Sequence, residues 1–181
     1  MKFLCILTNG FEDIEAVGTI AILRRAGVNI DVYSLHGTSA KGRYNINLTD
    51  LKNLDELNLD DYGALFIAGG PEYVELENST LFINIVKDFY HKNKYIAAIC
   101  AGPTILGHLG FLKNKKYTCF TSMNEDFGGT YIDDYCVADD KIITGKSAAA
   151  VIDFAFLIIK TVFGEELEQR IKKQIYYKDH D

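Results

Sequence analysis

Three short runs limit what this chain can fold into: KFLCILT at residues 2–8, ALFIAGG at 64–70 and IAAIC at 96–100. Each is apolar at nearly every position, and each ends at a turn signal: Asn-Gly, Gly-Gly or Ala-Gly. A run that is apolar on both sides of its pleat is covered on both faces, which is how strands of a parallel sheet read. The segments between them carry helical spacing. A helix is expected over residues 12–26, with Ile14, Val17, Ala21 and Leu23 on its apolar side and Gly27 as its stop. Residues 28–34 alternate as a second strand, and 42–50 suggest a small hairpin or excursion. A helix over 80–92 sets Leu81, Ile85, Val86 and Phe89 against Lys87 and Asp88, and a short helix follows over 103–109. Residues 131–144 alternate as two strands joined near Asp139-Asp140. Ser147 is expected to cap a long, deeply buried helix through Phe163, and an amphipathic helix closes the pattern over 165–175. Strands alternating with helices define an α/β single-domain, three-layer sandwich over residues 1–181, with a mainly parallel sheet and helices on both faces.

Composition removes several function classes. The formal net charge is -6 and no basic stripe is present, so no nucleic-acid partner is expected; Lys113-Asn114-Lys115-Lys116 reads as a solvated loop. No apolar run reaches the ~20 residues that span a bilayer. The N-terminal apolar run is too short for a signal peptide and leads straight into Asn9-Gly10. Cys5, Cys100, Cys119 and Cys136 form no C-x-x-C pair, and His36, His91, His108 and His180 are scattered, so no zinc-site spacing exists. A reduced, cytoplasmic protein is the expectation.

In parallel sheets ligands bind beyond the carboxyl ends of the strands. Three stretches fall there: 9–15, Gly69-Gly70 and Cys100. Cys100 sits where a buried strand gives way to a helix, in the sequence Cys-Ala-Gly-Pro. A strand-to-helix elbow holds a side chain exposed at the top of a sheet, and the following helix offers unpaired N–H groups that favour a thiolate. Most free cysteines are small buried hydrophobes. That reading suits Cys5, Cys119 and Cys136, and spacing alone leaves it open for Cys100. Glu12, Asp13 and Glu15 would all serve as dipole-complementing acids in a first helical turn, and position alone does not separate them.

Four ordered stretches carry a resemblance along nearly the whole chain. They are Glu12-Asp13-Ile14-Glu15-Ala16-Val17 with Leu23-Arg24-Arg25-Ala26-Gly27, then Ala68-Gly69-Gly70-Pro71, then Ala97-Ala98-Ile99-Cys100-Ala101-Gly102-Pro103-Thr104, then Ile143-Thr144-Gly145-Lys146. They resemble the ThiJ/PfpI superfamily and, within it, the parkinsonism-associated deglycase (DJ-one-like) branch. The resemblance implies a flavodoxin-like sheet with a cysteine nucleophile elbow. It implies Cys100 as nucleophile, Glu15 as the acid that hydrogen-bonds the thiolate and moves protons, and the Gly70 and Ala101 N–H groups as an oxyanion hole. Gly69 belongs to the glycine turn, and Arg43 falls roughly where the family has an arginine reaching a partner subunit's site. No cofactor and no metal are implied.

The implied activity is a glyoxalase or deglycase acting on methylglyoxal-type dicarbonyls or their early adducts with proteins or nucleotides. The same thiol would also serve a redox-sensing stress protein or chaperone through oxidation of Cys100. An intracellular cysteine peptidase or amidase fits less well. Protease-like members carry His directly after the nucleophile, where this chain has Ala101, and His108 lies about two turns further along its helix. The Gln and late His-x-Glu of glutamine amidotransferases have no counterpart here. A homodimer is implied too, and Gly18 would permit close helix approach across a two-fold axis.

Overall fold

The computed structural model describes residues 1–177. The chain runs β1 (Lys2–Leu7), α1 (Asp13–Arg25), β2 (Asn29–Ser34), the short pair β3 (Ala40–Lys41) and β4 (Asn47–Leu48), then β5 (Lys52–Asn53) and β6 (Ala64–Ile67). It continues through α2 (Tyr73–Asn78), α3 (Thr80–His91), β7 (Tyr95–Ile99), α4 (Gly102–His108), β8 (Lys116–Tyr117) and β9 (Thr130–Tyr131). It closes with the antiparallel pair β10 (Cys136–Asp139) and β11 (Ile142–Gly145), then α5 (Val151–Phe163) and α6 (Glu165–Gln174).

The central sheet has the order β10-β11-β7-β6-β1-β2-β5. Every neighbouring pair is parallel except β10 with β11. From β1 the chain steps to β2 on one side and later to β6 on the other. That reversal opens a crevice at the carboxyl ends of β1 and β6.

Alternation along β1 shows how the sheet divides the core. Phe3, Cys5 and Leu7 join the cluster shared with α1, α5 and α6, while Leu4 and Ile6 join the one built with α3 and α4. All five are fully buried, so the run of apolar residues reflects two cores rather than one. Phe154 of α5 is fully buried against Phe66 of β6, with ring centroids 6.2 Å apart. Phe154→Ala is expected to cost ~3–5 kcal/mol in urea denaturation, because the cavity lies under the middle of the sheet. A loss below ~1 kcal/mol would show that the site collapses around the gap.

Two helix faces differ from the expectation. In α1 the buried residues are Asp13, Glu15, Ala16, Thr19, Ile20 and Leu23, while Ile14 is 58% and Val17 37% exposed. Gly18 makes its close approach within the chain: a Cβ there would lie 2.7 Å from Val151 Cγ1 of α5. It therefore packs α1 on α5 within the chain. In α3, Phe82 turns inward and Leu81 outward. Ser147 makes no capping hydrogen bond. A single 3-10 turn at Ala148–Ala150 separates it from α5. The helix α2 was not foreseen. The hairpin and the last helix lie where expected, within a residue or two; the β10–β11 pair turns near Asp139-Asp140 as expected, but β10 starts at Cys136, because Thr130–Tyr131 pairs with β8 instead.

Candidate active site

The three expected stretches meet at the carboxyl end of the sheet. Cys100 follows β7 and adopts φ 62°, the left-handed region that non-glycine residues seldom occupy. Its N–H donates to Gly145 O at 2.9 Å and its carbonyl accepts from Phe120 N at 2.9 Å. Those bonds from two other segments hold a backbone conformation worth about 1–3 kcal/mol of local strain. The elbow turns the thiol back over the sheet, toward the amides of Gly70 and Ala101, both of which favour the thiolate.

The three acids of the α1 N-terminus have separate jobs. Glu12 caps the helix, accepting from Glu15 N at 2.8 Å. Asp13 accepts from Tyr44 N at 2.8 Å and Ile46 N at 3.2 Å, fixing the hairpin loop onto the helix. Glu15 is 1% exposed and hydrogen-bonds the Cys100 side chain. The amides of Gly69 and Ala148 also favour its charged form, yet its Oε2 makes no well-directed hydrogen bond among the described residues.

Burial raises the Glu15 carboxyl to about 7, with the Glu12 charge adding to the rise and the bond to Cys100 opposing it. Burial also raises the Cys100 thiol, and the charge of Glu15 and its hydrogen bond raise it further. This reverses the expectation that the helix N-terminus leaves Cys100 depressed. The helix α4 has only seven residues, and burial beside a carboxylate outweighs its amides. The two side chains titrate as one unit: the pair gives up one proton near neutrality and holds the second to high pH.

Gly69 and Gly70 allow this closeness. A Cβ on Gly69 would lie 2.2 Å from Glu15 Oε2 and 2.6 Å from Cys100 Cβ. Gly70 has φ 97°, and a Cβ there would lie 2.4 Å from Glu12 N. Gly70→Ala is accordingly expected to destabilise the fold by about 2–3 kcal/mol in urea denaturation and to impair turnover. Wild-type stability in that variant would contradict the packing described.

Cys100 and Glu15 open into a pocket of about 500 Å³ also lined by Gly70, Ala101, Arg43, Tyr44, Tyr73, Val74, Phe120, Met123 and Ser147. Arg43 thus lies at the site within one chain, its guanidinium 5.5 Å from the Tyr44 ring centre. The aromatic and apolar wall was not anticipated, because isolated apolar residues in loops carry no periodicity. His108 does not line the pocket. It sits between Glu77 and Glu125, which raise its pKa, as a surface residue rather than a base. Cys5 and Cys119 are fully buried.

A doubly covered parallel sheet with a strained cysteine elbow, a buried acid and a glycine turn defines a flavodoxin-like, cysteine-elbow protein. The DJ-1/PfpI family model matches residues 1–161, and the chain belongs to that family. It is 29% identical over 151 residues to deglycase TK1284 of Thermococcus kodakarensis, covering 81% of this chain and 90% of that protein. It is 30% identical over 171 residues to the glutathione-independent glyoxalase DJR-1.2 of Caenorhabditis elegans, covering 91% and 89%. The crystal structure of Drosophila melanogaster DJ-1beta superposes with a TM-score of 0.88 at 27% identity, over 97% of this chain and 98% of that one. Among the described residues no helix is long and apolar enough to cross a membrane.

Proposed function

We propose that this protein is a cysteine-dependent glyoxalase or deglycase acting on methylglyoxal-type dicarbonyls or their early adducts. The observation that carries this reading is the contact of Cys100 with the buried Glu15 carboxyl under two converging amides. Relatives named as deglycases and as a glyoxalase support it.

The pair's singly protonated form, which mainly keeps its proton on sulfur, supplies the nucleophile through the tautomer in which Glu15 holds the proton and the sulfur the charge. The thiolate attacks the aldehyde carbon, forming the C–S bond, and the carbonyl electron pair moves to oxygen. The Gly70 and Ala101 amides stabilise that oxyanion, which takes the proton from Glu15 to give a hemithioacetal and leaves Glu15 as the carboxylate. Glu15, as carboxylate, removes the proton from the former aldehyde carbon and returns it to the neighbouring carbon, while the hydroxyl proton passes to the former ketone oxygen, leaving a thioester of the hydroxy acid. Water cleaves the C–S bond, releases lactate and restores the thiol. The aromatic wall and Arg43 leave room for an adduct larger than a three-carbon dicarbonyl. Lactate formed from methylglyoxal by the purified protein tests the reading, and its absence across dicarbonyls and glycated peptides would reject it.

The redox alternative draws on the same cradle, which would hold a sulfinate by the same amides. Its mark would be peroxide oxidation of Cys100 ahead of Cys5 and Cys136 in peptide mass spectrometry.

A homodimer belongs to the same reading. Exposed Ile14 and Val17 on α1, with Tyr44 and Ile46 in the hairpin loop that Asp13 ties down, offer an apolar face beside the pocket. Sedimentation at micromolar concentration tests it, and a monomer of 20.3 kDa would reject it.

A further inference from the structure

Glu72 is the second buried acid of this region, and the proposed chemistry makes no use of it. It is 1% exposed and directly follows the Gly69-Gly70-Pro71 turn. Its Oε2 accepts from Thr8 N at 2.7 Å, while its Oε1 has no hydrogen-bond partner among the described residues. Three bonds join the turn to the segment that leaves β1: Thr8 N to Glu72 Oε2, Glu72 N to Gly10 O at 3.3 Å, and Glu12 N to Gly69 O at 2.9 Å. One of these segments leads into Glu15 and the other carries the Gly70 amide. The spacing of both around Cys100 is therefore set where the segments are stitched together. Only the Thr8 bond is made by a side chain, so it is the one a substitution can remove.

We propose that Glu72 is a positioning residue, whose buried carboxyl clamps the glycine turn onto the end of β1 and so holds the Gly70 amide and the Glu15 carboxyl in place around Cys100. The inference rests on the reading of Cys100 and Glu15 as a working pair.

The clamp works in the neutral form. The titratable groups acting on Glu72 are Glu15 and Glu75, both of which disfavour its charge, and a charge on Glu72 would raise the nearby Cys5 thiol. Burial acts in the same direction, and the Thr8 amide alone opposes it. A carboxylate here would be a buried charge without a counter-ion, which proteins avoid by protonation. Neutrality also keeps a further negative charge away from the Cys100–Glu15 pair.

The test uses Glu72→Leu and Glu72→Gln with two readouts. One is methylglyoxal turnover. The other is the pH profile of Cys100 alkylation by iodoacetamide, followed by peptide mass spectrometry, which does not depend on the substrate assignment. Leu fills the space but removes the acceptor for Thr8 N. It is expected to lower kcat by ~10-fold or more with KM changed less than about threefold, and to displace the alkylation profile by at least about half a pH unit. Gln keeps an acceptor and is permanently neutral, so it should restore both the turnover and the wild-type profile. Wild-type kcat and profile in Leu would overturn the clamp. A Gln profile displaced by about one pH unit would show that Glu72 is charged in the wild type, and would overturn the proposal whether or not Leu folds. If no dicarbonyl is turned over by any form, the substrate assignment fails, and the alkylation profiles still decide the role of Glu72.

Discussion

Lactate formation from methylglyoxal is expected to fall at least ~10³-fold in Cys100→Ser, with the fold unchanged. The substitution replaces Sγ by Oγ on the same strained backbone, so the elbow and its bonds to Gly145 and Phe120 remain. What is lost is acidity. The buried thiol already needs two amides and a protonated Glu15 to carry charge, and an alkoxide is far harder to form in the same place. Residual binding of the dicarbonyl is expected, so the loss falls on kcat rather than KM. Turnover near wild type in this variant would remove Cys100 from the chemistry and reject the cysteine-dependent reading.

Glu15→Gln has the second-largest expected effect, a loss of ~10²–10⁴-fold in kcat, the usual worth of a positioned proton-transfer group. The amide retains a donor toward sulfur but cannot carry a proton between adjacent carbons. The pH dependence separates this from simple misfolding. In the wild type the doubly protonated pair is inactive, and the active, singly protonated pair appears as pH rises through about 7, the raised value of the Glu15 carboxyl. Activity should therefore rise through that pH and level off above it. With Gln the carboxyl step is gone. The thiol loses the charge of Glu15 that raised it and titrates in a single step, below the wild type's second ionisation. Burial still holds it up, so the step does not fall to that of a helix-activated thiol. A Gln variant that keeps the rise near 7 would assign that ionisation to another group.

Much of this site is written in the chain order, and its electrostatics are not. β1, β6 and β7 were legible because strands covered on both faces are apolar at every position, and the turns after them are marked by Asn-Gly, Gly-Gly and Cys-Ala-Gly-Pro. The face of α1 was misread because its buried side includes Ala16 and Thr19 and Gly18 lies close to Val151 of α5, while Ile14 and Val17 point outward. Hydropathy reports apolar residues, not the side on which their partners lie. The helix α2 was hidden by its length, six residues between Pro71 and Ser79, too few for a period to show. Glu15 stood apart from Glu12 and Asp13 only through resemblance, since what distinguishes them is which backbone amides each one meets. The direction of the Cys100 shift was misjudged for a related reason. An elbow before a helix is visible in sequence, but the depth of burial and the charge of Glu15 come from distant segments closing over it.

The most direct test of the Cys100–Glu15 pair is the rate of Cys100 alkylation by iodoacetamide against pH, resolved from the other cysteines by peptide mass spectrometry, in wild type and Glu15→Gln. The wild-type rate is expected to rise through a step near 7, where the pair loses its first proton, and that step is expected to disappear in the Gln variant. A single step near the free-thiol value of ~8.5, identical in both proteins, would show that the two side chains titrate independently and would contradict the shared-proton site.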